Sequence, residues 1–344
     1  MEKDQKIIRT LVVEDMPFMQ RAIKKALQSD PCIEVVGTAK DGKDALRALE
    51  RLKPDVITMD VEMPEMDGIT AIKHIMVRNP RPVVMISGMA KSSRTTLEAL
   101  SLGAVDFVPK PGGSSYRTRS SSLNELCTII KEVAAIDPKK IRRAKFPNRQ
   151  GVHRSPLRRP AGLVIILTQR GTMSSVMRLL AMLEDLQGSS LLVISELEEV
   201  VLKSMLEGLR GHVMFELKSM DSEVAISAGA CAMIPYKCEF TLYRNRNRVP
   251  ILRRVDIFAA RKHIRDLVSY FGEYVRFIVF GNKLDHTISS MFRDCKQSVV
   301  IFDPYERPLT IEENEVLDRV IDSEYELQII LHKWFHKFSK KRWS

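Results

Sequence analysis

Four short apolar runs in the first 110 residues each end on a chemically active side chain. Residues 8–13 run into Glu14 and Asp15, residues 55–59 into Asp60, residues 82–86 into Ser87, and residues 104–109 into Lys110. Each run reads as a buried β-strand. A parallel sheet collects the carboxyl ends of its strands along one edge, so these side chains are expected to converge in one crevice. Three carboxylates in one place repel each other unless a cation joins them. Hard oxygen ligands with open positions suit Mg2+, which keeps waters and accepts phosphate oxygens. With an ammonium and a hydroxyl beside such an ion, the residues read as a phosphoryl-accepting aspartate.

The rest of this half supports a parallel sheet. Residues 6–136 alternate strand and helix signals, with helical patterns near 18–29, 42–52, 68–77, 94–102 and 121–135. Five such βα units predict a doubly wound sheet with helices on both faces. Strands one, three, four and five then meet at the site. Residues 137–161 carry Pro138, Pro147, Gly151, Pro156 and Pro160 among basic residues and read as a linker. From 162 a second α/β pattern begins, with strands at 163–167, 190–194, 275–280 and 298–302 and a helix at 174–186. The division is therefore 1–136, a linker at 137–161, a second domain at 162–330 and a basic aromatic tail at 331–344.

Charge narrows the function classes once it is mapped. The net charge is +11, but residues 138–160 hold nine Lys/Arg and residues 331–344 hold five, with no acid in either. The remainder of the chain is close to neutral. The excess charge reads as a solvated linker and tail, with an acidic partner or surface as the other reading. No helix-turn-helix or winged-helix pattern opens the second half, so no specific nucleic acid is expected. The five cysteines are scattered without a CxxC pair, which favours neither zinc nor disulfides and fits a reducing cytoplasm. No transmembrane segment is expected, because no run of about 18 apolar residues exists.

Val12-Val13-Glu14-Asp15, the run from Thr58-Met59-Asp60 to Met66-Asp67-Gly68, Met85-Ile86-Ser87-Gly88 and Phe107-Val108-Pro109-Lys110-Pro111 together resemble the receiver domain of two-component response regulators. The resemblance covers about residues 7–135. It implies a flavodoxin-like five-stranded fold and a sensor histidine kinase as phosphodonor. It implies Asp60 as the phosphoacceptor, with Asp15, Asp60 and the Glu62 carbonyl on Mg2+ and Glu14 acting through a bound water. Lys110 would pair with the phosphoryl oxygens. Ser87 would donate a hydrogen bond to them, and Phe107 would shift with it. The Lys110–Pro111 bond is expected to be cis. Asp67-Gly68 reads as a turn and helix start.

Val35-Val36-Gly37-Thr38-Ala39, Pro82-Val83-Val84-Met85-Ile86-Ser87 and Gly103-Ala104-Val105-Asp106-Phe107 narrow the likeness. They look like the receiver of the chemotaxis protein-glutamate methylesterase (CheB) family, whose members carry an α/β esterase domain behind a linker. The second half resembles that domain faintly, around 229–235, 255–258 and 280–285. Its triad positions depart from the family. Gln169 stands at the nucleophilic serine and Glu196 at the histidine, with Asp285 at the aspartate. Ester hydrolysis by such a triad needs a hydroxyl nucleophile and a base to deprotonate it. A glutamine amide supplies no such hydroxyl. Ser174 and Ser175 lie close by, at helix-start spacing, where capping is expected.

The expectation is a cytoplasmic, phosphorylation-controlled response regulator with a non-catalytic, methylesterase-derived effector. Chemoreceptors or a chemotaxis complex are its implied partners. The alternative is an active methylesterase or glutamine deamidase with shifted catalytic residues.

Overall fold

The computed structural model describes residues 7–87, 93–110, 116–149, 157–236, 238–255, 263–284, 299–305, 310–311, 319–321 and 323–340. The chain forms two compact units, Met1–Lys145 and Phe146–Ser344.

In the first unit, β1 (Ile8–Val13), β2 (Ile33–Ala39), β3 (Val56–Asp60), β4 (Val83–Ser87) and β5 (Asp106–Pro109) form one sheet in the order β2-β1-β3-β4-β5. All of its pairings are parallel. Between the strands run α1 (Pro17–Leu27), α2 (Gly42–Leu52), α3 (Gly68–Arg78) and α4 (Ser93–Leu102), and α5 (Tyr116–Val133) follows β5. α1 packs against α5, while α2 meets α3 and α3 meets α4, so helices cover both faces. The expected doubly wound receiver architecture is borne out. β3 and β4 are buried at every position because both of their faces are covered, which is why they read as unbroken apolar runs.

Local chemistry sets the helix starts. The Asp41 carboxylate accepts from the Asp44 N–H at the start of α2, and the Asp67 carboxylate accepts from the Thr70 N–H at the start of α3. Gly68 is required there by contact. A Cβ on it would lie 2.0 Å from the carbonyl oxygen of Asp60, so only glycine lets α3 begin this close to the end of β3.

The basic segment after α5 is packed along its described part. The Ala144 N–H donates to Ser101 O at 2.7 Å, and Arg143 Nη2 donates to Lys73 O at 2.9 Å, both within the first unit. In the second unit, the Arg149 N–H donates to Gly211 O at 2.9 Å and the Phe146 ring lies 5.6 Å from that of His212.

The second unit is built on a seven-stranded parallel sheet. In chain order come β6 (Leu163–Thr168), α6 (Met173–Met182), β7 (Ser190–Ser195), α7 (Glu199–Leu209), β8 (Glu216–Ser219), β9 (Glu223–Ala225) and β10 (Ala230–Pro235). Then follow β11 (Phe240–Arg244), β12 (Pro250–Arg254), α8 (His263–Phe271), β13 (Val275–Phe280), β14 (Lys283–Leu284), β15 (Val299–Phe302), β16 (Thr310–Ile311), β17 (Arg319–Ile321) and α9 (Glu324–Ser339). The large sheet has the order β17-β15-β13-β6-β7-β10-β8. Strand order reverses about β6, because β7 lies on one side of it and β13 on the other. One core face joins Ile165, Leu192, Phe277 and Val299 with Leu267 and Phe271 of α8 and Leu252 of the small β11-β12-β9 sheet.

The residues expected to form an aromatic tail belong largely to α9. Leu327, Leu331, Phe335 and Phe338 are buried at helical spacing. The Phe338 ring fills the space over Gly162 and lies 5.7 Å below the guanidinium of Arg276. α9 is tied to α6 by Glu324, whose Oε1 is 2.6 Å from Arg178 Nη2.

Candidate functional site

The carboxyl ends of β1, β3, β4 and β5 lie side by side, and the loops after them supply the site. Glu14 and Asp15 follow β1, and Asp60 closes β3. Ser87 closes β4, and Lys110 follows β5. One ligand atom from each of Glu14, Asp15 and Asp60 lies within 4.8 Å of the others. Lys110 reaches into this group. Its Nζ donates to Asp60 Oδ2 at 2.6 Å and to Glu14 Oε1 at 2.9 Å. The lysine is aimed by its own backbone, whose N–H donates to Ser87 O at 2.5 Å. Glu14, Asp60, Ser87 and Phe107 are all buried. Phe107 stands opposite Met85 on the neighbouring strand. Glu62 is two residues past β3, and its N–H reaches Asp60 Oδ1 at 3.4 Å. Asp67 caps α3 and takes no part in the cluster. Pro111 lies outside the described residues, as does Gly88.

Burial sets the electrostatics. It pushes the carboxyl groups of Glu14 and Asp60 up, against the pull of the Lys110 ammonium. For Lys110 burial pulls down, but the hydrogen bonds to Asp60 and Glu14 outweigh it, so its ammonium is raised. One ammonium cannot neutralise three carboxylates, and two formal negative charges remain when all are ionised. Glu14 Oε2 lies 2.9 Å from Lys110 Nζ without hydrogen-bond geometry, so it is a buried oxygen with no hydrogen bond. The donors are all hard oxygens on rigid strand ends. This set fits a small divalent cation of the Mg2+ kind, and a phosphoryl group beside it would meet Lys110 and Ser87.

The carboxyl ends of β6, β7 and β13 lie at the switch point of the larger sheet, the usual place for a site in such folds. Gln169 follows β6 and Glu196 follows β7. The Gln169 side chain lies on Gly281, whose φ is +144°; a Cβ there would meet Gln169 Oε1 at 1.9 Å. The Gln169 N–H donates to Phe280 O at 2.9 Å. Glu196 Oε2 accepts from the backbone N–H of Arg170 at 3.1 Å. Thr172 Oγ1 donates to the carbonyls of Gln169 and Phe280, and the Tyr305 hydroxyl donates to Gly171 O at 2.7 Å.

Ser174 and Ser175 do not cap α6. Thr172 occupies the N-cap, and no side chain caps the helix. Both serines are buried in the first turn, and Ser175 Oγ accepts from Arg178 Nη2 at 2.7 Å. The arginine arrives from one turn further along α6, which helix-start spacing alone did not reveal. Asp285 lies outside the described residues. The contacts of Gln169 with Gly281 and of Glu196 with Arg170 join segments far apart in the chain and left no local signal.

Residues 10–116 match the response regulator receiver domain family. The protein-glutamate methylesterase/protein-glutamine glutaminase of Symbiobacterium thermophilum is 45% identical over 139 residues, 40% of this chain and 38% of the relative. The protein of the same name from Lawsonia intracellularis is 34% identical over 241 residues, 66% of this chain and 68% of the relative. The chain belongs to this family. The Lawsonia alignment is longer than the first unit, so the methylesterase-family likeness does not stop at the receiver. The Pyrococcus horikoshii methylesterase/glutaminase is 28% identical over 300 residues, 85% of this chain and 80% of the relative. Among solved structures, the response regulator domain of Thermotoga maritima CheB is 45% identical, covering 39% of this chain and 100% of that one, with a TM-score of 0.36. In the described residues no helix is long and apolar enough to cross a membrane.

Proposed function

We propose that the chain is a cytoplasmic, chemotaxis-type response regulator that takes a phosphoryl group onto Asp60 from a sensor histidine kinase and passes the signal through a second unit that binds without catalysing. The observation that carries the first part is Lys110 Nζ held 2.6 Å from Asp60 Oδ2 beside three clustered carboxylates. An Asp60 oxygen attacks the phosphorus, the P–O bond forms as the P–N bond of the phosphoimidazole breaks, and the electron pair leaves with the imidazole nitrogen. Asp15, Asp60 and the Glu62 carbonyl would hold Mg2+, with Glu14 acting through a water. The ion supplies charge neutralisation for the transferring group. Lys110 neutralises phosphoryl oxygens, and Ser87 donates a hydrogen bond to them. Positioning and charge do most of the work, as in other phosphoryl transfers. Phe107 moves with Ser87 and carries the change to the surface.

The contact between Glu196 and Arg170 supports a silent effector. In hydrolases with a strand-turn-helix nucleophile, the N–H after the nucleophile helps to bind the oxyanion. Arg170 holds that place after Gln169, and its N–H already donates to a carboxylate. The nucleophile position carries an amide, and the amide packs on Gly281. Losing a triad nucleophile or base costs on the order of 10^6-fold in turnover. Chemoreceptors or another chemotaxis component are the partners this reading implies.

The second reading is an active methylesterase or deamidase. It is favoured by the 241-residue alignment to a relative of that name, and Asp285 would serve it. Two assays separate the readings. Incubation with acetyl phosphate and Mg2+ should yield an acid-labile phosphate that Asp60→Asn abolishes, and its absence rejects the receiver assignment. Methanol release from methylated chemoreceptors should stay at background. Turnover lost in Asp285→Ala would establish the enzyme instead.

A further inference from the structure

The arginines of the β11–β12 hairpin fall into two groups. At its open end, Arg253 Nε lies 2.5 Å from Glu223, and Arg254 grips both oxygens of Glu199 at 3.1 and 2.6 Å. Near the turn, Arg244, Arg246 and Arg248 are exposed, and among the described residues none has an acidic partner. Arg244 and Arg248 are gathered at one tyrosine, and Arg246 stands between them in the turn. The guanidinium of Arg244 lies 4.7 Å over the ring of Tyr270, and that of Arg159 lies 5.0 Å over the same ring. The Tyr270 hydroxyl donates to the carbonyl of Arg248. Among the described residues, the charges that act on the Tyr270 phenol are those of Arg159, Arg244 and Arg248.

The turn that presents them is braced. Asn245 Oδ1 accepts from the N–H groups of Asn247 and Val249 at 3.0 and 2.8 Å, and Arg248 sits at φ 56°. A braced turn spends little ordering entropy when it meets a ligand. Arg159 stands just before β6, and Tyr270 just before β13. The cluster is therefore at the amino ends of the central strands, away from Gln169 and Glu196 at their carboxyl ends.

We propose that the arginine cluster around Tyr270 is a docking surface for an acidic segment of a partner protein. Arginines held near one another repel, and an external anion offsets that repulsion. Guanidinium forks match carboxylates through paired hydrogen bonds. Single-stranded nucleic acid fits less well. Two guanidiniums already lie over the Tyr270 ring, and the Phe271 ring meets it edge-on at 4.9 Å, so a base has little aromatic face to stack on.

The test uses the full-length chain and fluorescence anisotropy of a labelled ten-residue polyglutamate. Ten-residue polyglutamine and a ten-nucleotide single-stranded DNA serve as comparison probes. Polyglutamate should bind and polyglutamine should not. The double variant Arg244→Glu/Arg246→Glu should weaken binding at least about tenfold. Lys43→Glu/Arg47→Glu changes the net charge equally on exposed receiver residues and should change binding less than about twofold. Arg246→Ala, an exposed change at the turn, should weaken binding measurably if the double variant fails to fold. Equal losses in the two double variants, no binding by the wild type, or tighter binding of the DNA than of polyglutamate would overturn the proposal.

Discussion

Lys110 Nζ lies 2.6 Å from Asp60 Oδ2, across fifty residues of chain. The same nitrogen is 2.9 Å from Glu14, so one ammonium bridges the ends of β1 and β3 from the loop after β5. This contact ties three strands together, and in the proposed function it would give a phosphoryl group its cation.

If that cation serves transfer, removing it should act on rate before it acts on fold. Lys110→Gln is expected to slow acetyl phosphate labelling of Asp60 by at least about 100-fold, read as acid-labile phosphate per chain against time. Asp60→Asn should give none. Labelling at the wild-type rate in Lys110→Gln would mean that the lysine is only a structural tie.

Clustered carboxylates should need a metal. Calorimetric titration with Mg2+ is expected to show one site, weakened at least about tenfold by Asp15→Asn, since the ion loses a charged oxygen. Chelation should stop acetyl phosphate labelling, and excess Mg2+ should restore it. Labelling that persists in chelator would refute the metal assignment.

Gly281 and Gln169 should be energetically coupled. Gly281→Ala places a Cβ 1.9 Å from Gln169 Oε1 on a backbone with φ +144°, so a loss of about 1–3 kcal/mol is expected in denaturant unfolding. Gln169→Ala removes the two nearest atoms and leaves Cβ at 2.8 Å. The double variant should therefore be more stable than the sum of the single losses, by about 1 kcal/mol. Simple additivity would show that the amide does not rest on that glycine.

Glu199 makes the second unit sensitive to acid. Its hydrogen bonds to Arg254, opposed by partial burial, bring its carboxyl down from 4.5 to about 2. A lowered carboxyl stabilises the fold above its unfolded value and loses that contribution as pH falls through the folded one. The pair therefore contributes fully above about pH 5 and fades toward pH 2. Trp334 lies in α9 of the second unit, so its fluorescence reports the unfolding of that unit. Glu199→Gln should melt lower than wild type near neutral pH, and the gap should close as the pH approaches 2. A gap that stays constant with pH would rule out the ion pair as its cause.

The receiver site was readable because its geometry follows from a local rule. Each chemical residue stands at the end of an apolar run, and parallel strands must present those ends together. Helix limits mostly fell within a few residues of their expected places. The second unit was harder. Phe335 and Phe338 lie in a lysine-rich segment that reads as a docking tail or a loosely packed terminal helix; that the helix packs tightly depends on Gly162 and Arg276, which are far away in the chain. Ser175 has helix-start spacing, yet Thr172 holds the N-cap and the Ser175 hydroxyl accepts from Arg178 instead.

The order of residues along the chain was enough to determine the alternation of strands and helices and the convergence of Glu14, Asp15, Asp60, Ser87 and Lys110. Those features depend on periodicity and strand direction, which are local. Tertiary structure alone decided that Gln169 rests on Gly281, that Glu196 takes the Arg170 N–H, and that Arg159 and Arg244 meet over Tyr270. Each of these joins segments brought together only by packing, and no pattern within a single segment encodes which distant partner will arrive.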